Sequence, residues 1–320
     1  MTFWDSLKKP FFVLAPMADV TDPAYRRLIA EYWKPDVTWT EFVSADGLYH
    51  TRTKGIMTDE ENPLVRDLQF GESERPIVAQ LFGANPETMV YAAKYAASLG
   101  YDGIDINMGC PDRSIEKQGA GAAMMKHPED APAIIAAARE SGLPVSVKTR
   151  IGYNHESLDE WLPILLKENL PALTVHLRTR KEMSLVAAHW ELAERVVGLR
   201  DKFAPDTLIL GNGDVRDLAD AKEKAANGGW DGIMLGRAIF GNPWVFTGRE
   251  LSDISREERL AALLQLAEYF DALRPKKSFH ILKKHFKAFV NGWPGAAELR
   301  AELMEAEDIA ALRAIITRLV

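Results

Sequence analysis

Short apolar runs recur along the first three quarters of the chain, separated by polar or helix-like stretches. Eight are found, at Phe12–Ala18, Val37–Ala45, Pro76–Gly83, Gly103–Gly109, Pro144–Arg150, Leu173–Thr179, Thr207–Val215 and Gly232–Ala238. They do not alternate cleanly: Pro144–Thr149 reads PVSVKT and Leu208–Leu210 reads LIL. Runs of this kind suit strands covered on both faces. Helices are predicted between them. Pro86–Leu99 opens after Asn85, a good N-cap followed by proline at the first helical position. Pro128–Ser141 stops at Gly142, and Asp214–Ala226 stops before Asn227-Gly228. The longer polar segment Thr51–Arg75 reads as a hairpin excursion.

Eight strands alternating with helices over about 240 residues predict an α/β fold, a (β/α)8 TIM barrel. A doubly wound sheet is the main competitor, but it usually carries a glycine fingerprint after its first strand. Here that position reads Ala15-Pro16-Met17-Ala18. After Phe246 the spacing turns helical: Leu260, Leu263, Leu264, Ala267 and Phe270 form one stripe, and Phe279, Leu282, Phe286 and Phe289 a second. Beyond Gly292-Trp293-Pro294-Gly295, Leu299 and Leu303 belong to a third helix, and Ile309, Leu312, Ile315, Ile316 and Leu319 to a fourth. The expected organisation is a barrel over residues 1–248 and a small helical bundle over 249–320.

Composition narrows the class. With 47% apolar and 27% charged residues the chain is an ordinary globular protein, which excludes disorder as its main state. Its 46 acidic and 39 basic residues give a net charge of -7, which alone argues against nucleic acid. The sum hides a patch. Residues 274–297 hold six basic residues and no acid, among them Lys276, Lys277, Lys283, Lys284 and Lys287, so the remainder carries -13. A charge run is usually a solvated helix face; one without interspersed acids suits a phosphate backbone. The one cysteine, Cys110, excludes an internal disulfide and a thiolate metal cluster, and fits a reducing cytoplasm. Met1–Pro10 has no long apolar core and no small-residue cleavage site, so no signal peptide is expected, and no run approaches about 18 apolar residues. A cytoplasmic protein without metal or membrane contact is expected.

Barrel chemistry sits where strands end. The glycine-rich turns Gly211-Asn212-Gly213-Asp214 and Gly236-Arg237 end the last two strands. They read as a phosphate cradle or as tight turns alone, and Arg237 adds a charge-assisted bond in the first case. Lys148 and His176 lie inside apolar strands, where an unpaired charge is costly. They form either a satisfied core pair or donors to a flat, electron-accepting ring. Gln80 and Asn107 both donate and accept, which suits a ring edge. Cys110 follows Gly109 at a strand end; an ordinary thiol, with a pKa near ~8.5, is mostly protonated at neutral pH and can give a proton.

These motifs resemble the tRNA-dihydrouridine synthases, the Dus family of flavoenzymes. The matching segments are Ala15-Pro16-Met17, Gln80-Leu81-Phe82-Gly83, Asn107-Met108-Gly109-Cys110-Pro111, Lys148-Thr149-Arg150, His176 to Arg180, Gly211 to Val215, Gly236-Arg237-Ala238 and Gly241-Asn242-Pro243-Trp244, in the family's order, with a similar helical tail. The resemblance implies FMN lined by Pro16, Met17 and Ala18, bonded at its ring by Gln80 and Lys148, with His176 beside it. Asn212, Gly213, Asp214, Gly236 and Arg237 would hold its ribityl phosphate. It implies Cys110 as proton donor, Asn107 facing the target uracil, and Arg150, Arg178 and Arg180 near tRNA. NADPH would be the reductant, visiting without a domain of its own, since Gly119-Ala120-Gly121 lacks the third glycine of a dinucleotide fingerprint. A monomer is expected. Leu177 stands where many members have glycine, and Lys181–His189 departs from the commoner version. Two alternatives are a flavin barrel acting on a small molecule, which leaves the basic tail unexplained, and a non-catalytic RNA-binding barrel, which leaves the strand ends unexplained.

Overall fold

The computed structural model describes residues 2–319. Nine short strands form one parallel sheet: β1 (Phe11–Leu14), β2 (Thr38–Trp39), β3 (Val43–Ser44), β4 (Ile77–Phe82), β5 (Gly103–Met108), β6 (Val145–Arg150), β7 (Ala172–His176), β8 (Leu208–Asn212) and β9 (Gly232–Leu235). Their order is β1-β9-β8-β7-β6-β5-β4-β2, and β3 also pairs with β4. A bridge from Val13 to Val37 brings the two ends together, so the sheet is a nearly closed barrel. The run Val37–Ala45 is one barrel strand in two pieces. The Thr40 hydroxyl interrupts it, accepting from the Gln80 amide (3.0 Å) where a strand carbonyl would otherwise do so.

The helices are α1 (Pro23–Trp33), α2 (Ala45–Thr53), α3 (Pro63–Asp67), α4 (Pro86–Ser98), α5 (Arg113–Glu116), α6 (Ala131–Arg139), α7 (Leu158–Leu166), α8 (Ala193–Phe203) and α9 (Leu218–Gly228), followed by α10 (Arg256–Ala272), α11 (Phe279–Phe289), α12 (Ala296–Glu305) and α13 (Ile309–Thr317). Thr51–Arg75 is therefore not a hairpin. Ser44 caps α2 by accepting from Gly47 N–H, and Asn62 caps α3 by accepting from Leu64 N–H, with Pro63 at its first position. These caps nucleate helix in a segment without a clear apolar stripe. The helix expected over Asp214–Ala226 begins later, at Leu218, because Asp217 caps it through Asp220 N–H. That leaves Asp214 to Arg216 in a loop at the end of β8.

The lower end of the barrel is plugged. Trp4 packs 6.3 Å from the Phe11 ring and 5.9 Å from Trp39, over a core that includes Val13, Val78, Leu210 and Met234. The cleft lined by the polar strand-end residues lies at the C-terminal ends of the strands. The tail closes on α1: the Tyr25 ring stacks 4.9 Å from His285, and Tyr269 bonds Glu31 at 2.6 Å. Leu282, Phe286 and Phe289 are buried, so the apolar face of α11 is turned to the barrel and the tail.

The basic run divides accordingly. Lys277 is not on the RNA-accessible surface that its sequence context suggests. Its side chain is 4% exposed and lies 3.2 Å from Glu41, 3.5 Å from Asp19, 3.6 Å from Asp22 and 3.9 Å from Asp67. Although burial opposes its charge, Glu41, Asp22 and Asp67 hold its pKa above the ordinary value. Lys283 donates to the Met304 carbonyl (2.6 Å), and Lys276 pairs with Asp271 (3.0 Å). Lys284 and Lys287 are exposed. No helix among the described residues is long and apolar enough to cross a membrane.

Candidate active site

A cleft of about 310 Å³ opens at the C-terminal ends of the strands. Pro16, Met17, Gln80, Asn107, Cys110, Lys148, Arg150, His176, Arg178, Asn212, Gly213, Asp214, Gly236 and Arg237 all line it. Ala18 does not: it sits exposed in the turn after β1, and Ala15 lines the cleft instead. Arg180 lies outside, paired with Glu116. Strand register explains the gathering. Asn107 aligns with Lys148, Arg150 with His176, and His176 with Asn212, so neighbouring strands bring these residues to similar heights.

The floor is a directed chain of hydrogen bonds. Asp105, fully buried in β5, accepts from Gln80 Nε2 and from the Ser146 hydroxyl, both at 2.6 Å. A carboxylate can only accept, so the Gln80 amide must present its Oε1 the other way. That oxygen accepts from Asn107 Nδ2 (3.1 Å), and Asn107 Oδ1 in turn accepts from Gly109 N–H (3.1 Å) and Cys110 N–H (2.9 Å). One buried acid thereby sets two amide orientations and the backbone of the cysteine loop. Burial pushes the Asp105 carboxyl up to about 6. Sequence reading missed Asp105. Its signal was an acid inside the apolar run Gly103–Met108, two residues before Asn107 and so on the same strand face.

Four cationic side chains, Lys148, Arg150, Arg178 and Arg237, line the cleft against one carboxylate, Asp214. Lys148 makes no salt bridge or hydrogen bond among the described residues. Burial lowers its pKa to about 8, with Arg150 adding to the effect and Asp105 opposing it. His176 is held well below its ordinary range by burial and then by Arg150, Lys148, Arg178 and Arg237, so it is neutral at pH 7. Arg178 Nη1 lies 3.2 Å from His176 Nε2. A guanidinium has only donors, so Nε2 accepts and the ring proton sits on Nδ1.

Arg150 and Arg178 are buried and hold loops. Arg150 donates to the carbonyls of Gly109 (2.7 Å), Thr179 (3.1 Å) and Met183 (3.0 Å), and Arg178 to that of Val186 (2.7 Å). Both guanidiniums are thus engaged by protein groups while also lining the cleft. Asp214 ion-pairs with Arg178 and Arg237 and accepts from Ala188 N–H (2.9 Å). Its carboxylate would repel a phosphate; its contribution is to place the two arginines. Gly213 has φ +131°, and a Cβ there would lie 2.7 Å from Ala188 Cβ, so only glycine fits this turn. The Cys110 thiol is pushed up, chiefly by burial, and stays protonated at neutral pH.

The donor set fits a flavin phosphate. An unpartnered ammonium and a polar amide edge face one cleft, beside the glycine turns and Arg237, in a field with an excess of positive charge. The first N–H groups of the short turn at Arg237 also lack partners within it.

Known proteins resemble this chain over nearly its whole length. The family model for dihydrouridine synthase (Dus) matches residues 13–317. A probable tRNA-dihydrouridine synthase of Staphylococcus epidermidis is 42% identical over 318 residues, covering 98% of this chain and 95% of the relative. The probable tRNA-dihydrouridine synthase 2 of Bacillus subtilis is 40% identical over 317 residues, with the same coverage. Among solved structures, histamine dehydrogenase from Rhizobium sp. 4-9 matches with a TM-score of 0.50 at 12% identity over 82% of this chain, and a 2-naphthoyl-CoA reductase with a TM-score of 0.51 at 10% identity over 73%. This chain spans about half the length of each, covering 49% and 48%, and the likeness is one of fold.

Proposed function

Because the chain belongs to the dihydrouridine synthase (Dus) family, we propose that it reduces the C5–C6 double bond of a uridine in tRNA to 5,6-dihydrouridine, with FMN in the cleft and NADPH as reductant. The observation that carries this reading is the gathering of Cys110, Asn107 and the unpartnered Lys148 in one cleft at the C-terminal strand ends. FMN would supply the hydride that the protein's own side chains cannot. Lys148 and Gln80 would hold its ring, with the His176 Nδ1–H beside it, and Gly213, Gly236 and Arg237 its phosphate. Asn212 donates to the Met234 carbonyl (2.8 Å), which leaves its oxygen for the ligand.

Cys110 would give its proton to uracil C5, and burial keeps that proton on sulfur until it is needed. Asn107 uses one Nδ2 hydrogen on Gln80; the second can meet the uracil edge. Arg150 and Arg178 would act by holding the surrounding loops. The uridine must leave its stack to reach the cleft, at a cost of about a few kcal/mol. Lys284 and Lys287, on the exposed side of the tail, would repay part of it by binding backbone phosphate. We assign catalysis to residues 1–248, tRNA docking to 249–320, and a cytoplasmic setting to both.

The test is the visible spectrum of the purified protein, then NADPH oxidation with and without unmodified tRNA. Bound flavin with tRNA-dependent oxidation and dihydrouridine in the product is expected. Flavin without tRNA dependence would turn the reading towards a small-molecule substrate, and a colourless protein would end it.

A further inference from the structure

Beside the cleft, the loop between β7 and α8 leaves three apolar side chains in solvent. Leu185 is 85% exposed, Val186 43% and Met183 41%. Single exposed apolar residues need no explanation; three on one loop tip at the rim of a site do. The tip is also fixed. Arg150 and Arg178 donate to the carbonyls of Met183 and Val186 at 3.0 and 2.7 Å. Glu182 accepts from Thr179 N–H (2.7 Å), and Leu185 N–H donates to the Glu182 carbonyl (2.9 Å). Met183 itself holds a left-handed backbone, φ +56°, and Arg150 grips that residue. Two buried guanidiniums therefore present a small apolar tip without leaving it to be ordered on binding.

We propose that Leu185 and Val186 form a fixed wedge that stacks on the bases flanking the target uridine and fills the gap it leaves on entering the cleft. The inference rests on the RNA reading above. Met183 and Ser184 of the same loop line the cleft together with Cys110, so a polynucleotide delivering one base to the cleft must cross the tip. Unstacking exposes base faces, and apolar side chains cover such faces without regard to sequence. One side of the tip is basic: Lys181 and Lys126 are exposed, both beside Tyr153, with the Lys126 ammonium 4.2 Å from its ring centre. An apolar tip flanked by cations suits bases flanked by phosphates. A stable protein partner would need about 800 Å² per side, more than these side chains offer.

The test uses the full chain and unmodified tRNA. With L185W, the fluorescence in excess of the wild-type protein should fall on adding tRNA, and its quenching by acrylamide should drop severalfold. The double variant L185S/V186S should form dihydrouridine about tenfold more slowly at saturating tRNA, the loss expected of one base-stacking side chain, while circular-dichroism melting is unchanged. Filter binding shows independently that the complex forms. A complex in which the L185W excess stays open to acrylamide, or a double variant with wild-type turnover, would overturn the wedge. Absence of any tRNA complex with the wild-type protein would instead overturn the RNA reading, and the wedge with it.

Discussion

Replacing Asn107 by alanine separates two roles that this residue combines. Asn107 donates to Gln80 Oε1 (3.1 Å) and accepts from Gly109 N–H (3.1 Å) and Cys110 N–H (2.9 Å). The three losses are unequal. All three groups border the cleft, and Gly109 is the most tightly packed: a Cβ there would meet the Thr149 backbone at 3.1–3.2 Å. A buried N–H left without an acceptor costs about 1–3 kcal/mol, and any group that turns to water adds less. A total of about 2–3 kcal/mol lowers the melting temperature of a chain this size by roughly 3–5 °C. Turnover should fall at least as far as loss of a substrate contact alone would take it, because the cysteine loop loses its anchor. Thermal melting followed by circular dichroism, alongside dihydrouridine formation by the same preparation, reads both effects. If Asn107→Ala melts within a degree of the wild type while activity collapses, Asn107 touches only the substrate, and the chain from Asp105 to Cys110 does not position the loop.

Four further outcomes are expected. Cys110→Ala should retain bound yellow flavin and lose most dihydrouridine formation; unchanged turnover on tRNA would remove Cys110 as the acid. Lys148→Ala should release flavin on ultrafiltration, and a fully flavinated variant would count against its role. Lys277→Met leaves Glu41 and Asp22 buried without their cation, a loss of about 3–5 kcal/mol. Burial already raises the Glu41 carboxyl to about 7, against about 4.3 when unfolded, so the folded state holds the extra proton and stability falls as pH rises between those values. The variant's deficit should therefore be smallest near pH ~5 and grow towards pH ~8, and melting curves that show a pH-independent deficit would refute this account. Lys284→Glu with Lys287→Glu should raise the KM for tRNA and reduce the slope of log affinity against log salt by roughly one to two; an unaltered slope would take the tail off the RNA.

The parts of this protein legible in its sequence are those fixed by local rules. The apolar runs of β4 to β9 gave the barrel because strands buried on both faces admit little else, and the polar residues in those runs marked the cleft because a barrel gathers its strand ends. What escaped reading depends on partners distant along the chain. Thr51–Arg75 reads as a hairpin in sequence because α3 rests on the Asn62 cap rather than on an apolar stripe, and the end of α2 runs in from its Ser44 cap. Arg150, Arg178 and Lys277 read as free cations, since a cation in sequence does not declare its counterpart. In the fold, Lys277 meets acids from near residues 19, 22, 41 and 67, and the two arginines meet loop carbonyls. Asp105 was passed over for the converse reason: it lies beneath the site, touching Gln80 and Ser146, and acts only by fixing what others present. Local pattern thus names which groups surround the chemistry. Which of them face the substrate and which hold those that do is decided by long-range pairing, and here that pairing turns buried charge to support, while an uncharged loop tip stands exposed beside the cleft.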